Sequence, residues 1–186
     1  MDLRTALFLI GVAVFIAVLA TIAVRSYRRA NASSDRSWER LLERLAVVDR
    51  QSIAEVALDI VDEFGMRRTD RASATLEGSE IWKMLGGLEG VEVLAANSTV
   101  LVDLAFYVQR WYPEAVVLAE QLRASAREIE WHVDRLRAAR QSGKLEAAFT
   151  EYAQRAAVVY YLMTKRLVVL YQHANFPLLA DLERAL

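Results

Sequence analysis

The feature that most constrains the fold of this chain is an uncharged run of twenty residues near the N-terminus. It extends from Thr5 to Val24, between Arg4 and Arg25, and most of its side chains are apolar. A helix rises ~1.5 Å per residue, so a helical run of this length measures ~30 Å, the thickness of the hydrocarbon core of a bilayer. A helix also satisfies every backbone polar group within one segment, as lipid requires. The run therefore predicts a single N-terminal transmembrane helix.

A cleaved signal peptide is the alternative interpretation of this run, with Val18 and Ala20 offering a small-residue cleavage site. The run is longer than the ~7–15 apolar residues usual in signal peptides, and the segment before it carries one basic side chain, Arg4, close to Asp2. These features favour the uncleaved helix. We therefore interpret residues 1–30 as a transmembrane anchor with juxtamembrane arginines.

The charges that flank the anchor predict its orientation. Basic residues are concentrated after the apolar run, at Arg25, Arg28, Arg29, Arg36 and Arg40. Because basic flanks stay on the cytoplasmic side, the rest of the chain is predicted to be cytoplasmic, on a single-pass protein of the inner (cytoplasmic) membrane. Aromatic and basic side chains suit the headgroup layer, so the predicted membrane-interface residues are Arg25, Tyr27, Arg28 and Arg29.

Small residues recur at helical spacing within the anchor. They are Gly11, Ala13, Ala17 and Thr21. Small side chains let a second helix approach closely in lipid, so this face predicts transmembrane packing against a partner helix or a second copy.

The remainder of the chain predicts an all-α fold. Residues 31–37 are short and polar and are interpreted as a linker, and residues 38–186 as a helical bundle domain. Only 2 prolines and 7 glycines occur in the whole chain, which favours long helices. Apolar periodicity and breaker residues predict these helices over 38–64, 79–111, 113–143 and 144–173. The architecture expected is an antiparallel bundle of about four long helices after the transmembrane helix.

Two features of these helices predict further details of the fold. Gly86 and Gly90 predict a break or kink in the second helix and, alternatively, a place of close helix packing. The last long helix is apolar on nearly all sides, with Val168 and Val169 opposite Met163, and is predicted to be buried from several directions. A short apolar tail after Pro177 is predicted to pack back on the bundle.

The residues needed for most catalytic chemistries are lacking. The chain has no cysteine and two histidines, His132 and His173, neither in the Glu-x-x-His spacing of a di-iron bundle. No nucleophile elbow or phosphate-binding loop is present. The sequence therefore predicts no enzyme activity, no metal and no cofactor. The formal net charge is −1, and the arginines of the third helix alternate with glutamates, so no nucleic-acid partner is predicted.

Two groups of side chains are candidates for binding. Glu92, Asp103, Tyr107 and Arg110 fall near one stripe of an apolar helix, which indicates a polar pocket or a docking stripe for a basic partner; the alternative is an ordinary solvated face. The tryptophans Trp82, Trp111 and Trp131 are either interface anchors or core residues, and core is the favoured interpretation.

The segment Leu85–Ala95, followed by Asp103, Phe106, Tyr107, Trp111 and the helix after Pro113, resembles a bacterial family of uncharacterised proteins, a domain of unknown function. The resemblance covers residues 38–140. It implies an N-terminal membrane helix and a cytoplasmic helical domain, and it supplies no catalytic residues. The sequence departs from the family pattern at Asn97-Ser98-Thr99, where a Gly-Ile pair is expected.

Together these features predict a non-enzymatic, membrane-anchored interaction or scaffold protein, an accessory subunit of a membrane-associated complex. Its expected partners are the lipid bilayer and either another protein or a second copy of itself, bound through the bundle and the transmembrane helix. The alternative function is a membrane-tethered sensor that binds a small ligand between the last two helices, near Tyr152, Tyr160 and Met163. An enzyme that uses Asp103 or His132 is a third, less favoured hypothesis.

Overall fold

The computed structural model describes Val12, Ile16, residues 20–21, 37–62, Met66, residues 75–175 and 178–186. The chain divides into two compact units, Met1–Ser37 and Trp38–Leu186. Five residues of the first unit are described, all of them exposed: Val12, Ile16, Ala20 and Thr21 adopt helical conformation, and Ser37 does not. The rest of the predicted span, and the predicted membrane-interface residues Arg25, Tyr27, Arg28 and Arg29, lie outside the described residues.

The second unit is built from helices. Its described residues form α1 (Trp38–Leu42), α2 (Arg50–Leu58), α3 (Gly78–Leu85), α4 (Gly87–Val108), α5 (Ala115–Gln141), α6 (Leu145–His173) and α7 (Leu179–Ala185). No strand is formed by the residues that the structure describes. The all-α prediction is confirmed.

The single helix predicted over residues 38–64 is wrong, because residues 43–49 leave the helical path between α1 and α2. The side chain of Asn97 on α4 accepts a hydrogen bond from the backbone N–H of Ala46 (2.9 Å) and donates one to its carbonyl oxygen (2.8 Å). A continuous helix would need both of these groups for its own ladder. Asp49 then caps α2 by accepting hydrogen bonds from the N–H groups of Gln51 and Ser52.

Three helices, α4, α5 and α6, are long, and each packs against the other two. The break predicted in the second helix is confirmed: α3 ends and α4 begins at Gly86–Gly87, where both glycines have positive φ (74° and 67°). Among the described helices, α4 alone has the length and apolarity of a membrane span, and 61% of that window is buried inside the domain, as expected of a core helix.

The C-terminal tail packs on the body, as predicted. Leu182 of α7 and the last residue, Leu186, are buried, and α7 contacts α6. The core between α4 and α6 contains a buried tyrosine, Tyr171, whose hydroxyl donates a hydrogen bond to the carbonyl oxygen of Leu104 (3.0 Å). Burial raises the pKa of Tyr171 well above its ordinary value, so this hydroxyl remains a donor.

Candidate functional site

The two acidic residues of the predicted stripe on α4 pair with different parts of the domain. Glu92 pairs with Arg137 of α5 (2.7 Å), close to the N-terminal end of α4. Asp103 pairs with Arg44, which lies in the segment after α1 (2.6 Å). The structure therefore does not bring Glu92 and Asp103 into one pocket.

The aromatic member of the stripe belongs to a ring cluster. The ring of Tyr107 lies 5.6 Å from the ring of Trp38 and 5.2 Å from that of Trp111, and the guanidinium of Arg110 lies 5.7 Å from its centroid. Trp38 is buried and its ring also contacts that of Tyr171 (5.5 Å). These contacts attach α1 to α4 and α6, so Tyr107 has a packing role in this structure.

The two glycines predicted to allow close packing do so within the α3–α4 corner. A Cβ on Gly90 would lie 1.6 Å from the carbonyl oxygen of Leu85, so the end of α3 passes directly over this position. Gly86 has a left-handed φ and ends α3. The predicted transmembrane packing residues Gly11, Ala13 and Ala17 lie outside the described residues, and Thr21 is helical and exposed.

Three of the four tryptophans are more exposed than the favoured core interpretation predicted. The exposed fractions are 41% for Trp82, 57% for Trp111 and 46% for Trp131. Each still contacts one aromatic neighbour on its inner side: Phe149, Tyr107 and Tyr152, respectively. The core interpretation is wrong for these three residues. Exposed tryptophan is enriched in protein interfaces.

An apolar surface lies where the N-terminal half of α5 meets the C-terminal half of α6. A groove of ≈ 360 Å³ runs between the two helices. It is lined by Tyr112, Leu118, Leu162, Lys165, Arg166, Val169, Leu170 and His173, and we call it the α5–α6 groove. Val169 is 47% exposed, and Val116 and Val117 on the first turn of α5 are also exposed.

The charges along this groove have one sign. Lys165 and Arg166 are exposed, His173 lies one turn beyond Val169, and no carboxylate of the described residues lines the groove. Sequence reasoning placed Val168 and Val169 on a buried side of the last helix, and for Val169 this is wrong. The signal that would have shown it is the adjacent pair Lys165-Arg166, which interrupts the apolar run at the positions that stay in solvent.

A buried histidine lies between α5 and α6, at the other end of these helices. His132 is 3% exposed, and neither ring nitrogen has a hydrogen-bond partner among the described residues. The rings of Trp131 and Tyr152 pack against it, and the nearest carboxylate oxygen, on Glu128, is 3.9 Å from Nε2. Burial lowers the pKa of His132, the charge of Arg155 adds to this effect, and the glutamates on both helices oppose it.

The residues expected near a ligand site between the last two helices do not lie together in this structure. Tyr152 packs on His132, Met163 is fully buried in the core, and Tyr160 lies beside α2, so the three do not line one cavity between the last two helices. Within the part of the chain that the structure describes, no three histidine, aspartate or glutamate side chains converge where a metal ion could bind.

Comparison of the chain with protein-family models, curated proteins and solved structures finds no match.

Proposed function

We propose that this chain is a non-enzymatic, membrane-anchored interaction protein, an accessory subunit whose helical domain binds an acidic, amphipathic helix of a partner protein. The observation that supports this proposal is the α5–α6 groove, with its apolar floor and uncompensated basic edge. An amphipathic helix recognises such a groove through apolar side chains spaced three and four residues apart.

The anchor is the second part of the proposal. A transmembrane helix over Thr5–Val24 would tether the domain to the inner membrane, and the arginines that follow would keep the domain in the cytoplasm. We infer that α4, α5 and α6, with the shorter helices, form an antiparallel bundle on this anchor. Tethering raises the local concentration of the domain near membrane partners, so a groove of modest affinity suffices for assembly.

The charges at the groove support an acidic occupant. Lys165 and Arg166 form no ion pair with the described residues, and both are exposed at the groove. Acidic side chains on the partner helix would lie against them and would speed association and fix its direction. Val169 and Leu162 would contact the apolar face of the same helix. A basic helix would be repelled, which distinguishes this site from the stripe of acids expected on α4.

The test is site-specific photo-crosslinking in host membranes, with a photoreactive phenylalanine at Val169 of the full chain. We expect a crosslink to one partner protein. The crosslinked peptide should form an amphipathic helix with acidic residues near the attachment site. The double variant K165E/R166E should abolish the crosslink, and reversing the acidic residues of the partner should restore it. The matched control is R140E, which reverses an exposed charge on α5 away from the groove.

Other products would contradict the proposal. A crosslink to a second copy of the chain would make the groove a self-association surface, and a crosslink to lipid alone would make it a membrane contact. A partner whose crosslink survives K165E/R166E would not be held by the basic edge, and the proposed recognition would then be wrong.

A further inference from the structure

A second concave site lies between α2, α6 and the C-terminal residues. Its volume is ≈ 310 Å³, within the range of small-molecule sites, which begins at about 300 Å³. Its wall is mainly aliphatic, with contributions from Val48, Ile53, Ala54, Val168 and Leu186. We call it the α2–α6 cleft.

Two cations stand at this cleft. Arg50, the first residue of α2, donates hydrogen bonds to the carbonyl oxygens of Glu183 (2.6 Å) and Arg184 at the end of α7. Because both acceptors are neutral carbonyls, the positive charge of Arg50 is not cancelled. The five N–H donors of a guanidinium also exceed these two bonds. The ammonium of Lys165 lies 5.5 Å from the ring centroid of Tyr161.

The carboxylates available to these cations are few. Glu183 is the acid that lines the cleft, and among the described residues it forms no ion pair with Arg50 or Lys165. The side chains at the site thus combine an apolar wall with two positive charges and one negative charge. Arg50 and Lys165 offer an anionic group two cationic hydrogen-bond donors.

Tyr160 also lines the cleft, and its side chain is nearly fully buried. Its hydroxyl accepts a hydrogen bond from Nδ2 of Asn97 (3.4 Å), and no acceptor for its own hydrogen is found among the described residues. Burial raises the pKa of Tyr160, while the charge of Arg50 acts in the opposite direction. The phenol therefore stays protonated at neutral pH.

We propose that the α2–α6 cleft binds an amphiphile with one unbranched apolar chain that ends in an anionic group. The aliphatic wall would bury the chain, while Lys165 and Arg50 would hold the anionic end. Nucleotides and sugars fit this wall poorly, because their many polar groups would lose hydrogen bonds to water without replacement. The ligand is a free fatty acid or a monoacyl phospholipid, which share this chemistry. The cleft shares Lys165 with the α5–α6 groove but has its own apolar wall, and ligand binding there does not depend on the docking proposal.

The experiment uses the full chain in lipid nanodiscs and a decanoate that carries a diazirine at the end of its chain. After irradiation, mass spectrometry maps the labelled residues. Expected is preferential labelling at Val48, Ile53 and Val168, lost when unlabelled decanoate is added in excess. Labelling elsewhere in the chain, from probe dissolved in the bilayer, serves as the internal reference for every variant.

Two variants test the cleft itself. Ala54→Phe fills the cavity and should abolish labelling there, whereas Ala138→Phe, an exposed alanine of α5, should not change it. Lys165→Ser should lower labelling roughly tenfold, the loss expected for one charge-assisted hydrogen bond. Arg166→Ser is its matched control, because Arg166 lines the α5–α6 groove and not the cleft.

The competitors distinguish the sources of the ligand. Stronger competition by decanoate identifies a free fatty acid, and stronger competition by a monoacyl glycerophospholipid identifies a membrane lipid; both support the shared chemistry. Equal competition by the neutral decanol would overturn the role of the anionic group. Labelling at the cleft that persists in Ala54→Phe would overturn the site.

Discussion

The side chain of Asn97 binds both backbone polar groups of Ala46, through Oδ1 to the N–H (2.9 Å) and through Nδ2 to the carbonyl oxygen (2.8 Å). Asn97 is 1% exposed and lies in the middle of α4, a helix that is otherwise mostly apolar on its inner side. The amide replaces the hydrogen bonds that Ala46 would make in a helix. It thereby fixes the course of residues 43–49, from which Val48 reaches the α2–α6 cleft.

We expect Asn97→Leu to destabilise the domain by on the order of 1–2 kcal/mol, because both part-buried hydrogen bonds to the backbone of Ala46 are lost. Asn97→Asp retains the acceptor for the N–H of Ala46 and loses the donor to its carbonyl, so it should also be destabilising. The measurement is urea unfolding of the full chain in detergent, followed by tryptophan fluorescence. Thr99→Ala, an exposed change on the same helix, is the control and should be nearly neutral. Wild-type stability of Asn97→Leu would contradict the assigned role.

The buried His132 predicts a dependence of stability on pH. Its pKa is lowered in the folded state, whereas the unfolded chain has the ordinary pKa of 6.5. Just below pH 6.5 the ring therefore binds a proton in the unfolded chain while it stays neutral in the folded domain. The contribution of His132 to the free energy of unfolding should therefore be fully present above pH 6.5. It should decrease as the pH falls below 6.5 toward the folded pKa.

His132→Phe should remove this part of the pH dependence and should be more stable than the wild type at pH 5, because it keeps a ring and removes two unpaired nitrogens. Chemical unfolding at pH 5, 6, 7 and 8 measures the difference in the free energy of unfolding between the wild type and His132→Phe at each pH. Carboxylates titrate in both proteins alike and cancel in this difference. His173→Phe, at the exposed end of α6, is the matched control. If the wild type and His132→Phe lose stability in parallel, the ring of His132 is not the cause.

The helical content of this domain could be predicted because it depends on local patterns. The apolar period of α5 and α6, Gly143 between them and the glycines before α4 are all visible in the sequence, and the structure has helix boundaries within a few residues of those expected. Gly90 was also recognised as a place of close approach, although its neighbour proved to be the backbone of Leu85.

The parts that could not be predicted depend on contacts between distant residues. The periodicity of residues 38–64 suits a helix, and the side chain of Asn97, 51 positions from Ala46, holds the segment between α1 and α2 out of the helical path. The charged stripe on α4 has a helical period, yet Arg44 and Arg137 reach its members from two different elements. Likewise, an apolar helix such as α6 does not show from its own sequence which side remains uncovered.

Gly90 should tolerate no side chain. Gly90→Ala would place Cβ 1.6 Å from the carbonyl oxygen of Leu85, so the α3–α4 corner must open, at a cost on the order of 3 kcal/mol. Gly143→Ala is the comparison: its φ is +70°, but no atom lies within 4 Å of the added carbon, so its cost should be only about 1–2 kcal/mol. Thermal unfolding of the two variants measures this order, and the reverse order would show that the corner relaxes easily.

The pair Arg44–Asp103 decides whether the acid on α4 is structural or a docking point. Asp103 is 15% exposed and its Oδ2 lies 2.6 Å from Nη1 of Arg44, which joins the segment after α1 to α4. A double-mutant cycle of Arg44→Met and Asp103→Asn should give a coupling free energy of about 1 kcal/mol.

The more exposed pair Glu151–Arg155 on α6 is the control cycle, and its coupling should be smaller, about 0.3–0.5 kcal/mol. If the Arg44–Asp103 pair is structural, Asp103→Asn lowers the stability of the domain and leaves the Val169 crosslink unchanged. If instead Asp103→Asn is as stable as the wild type and loses a basic partner in the membrane, the stripe on α4 is a docking site and Arg44 only occupies it when the partner is absent.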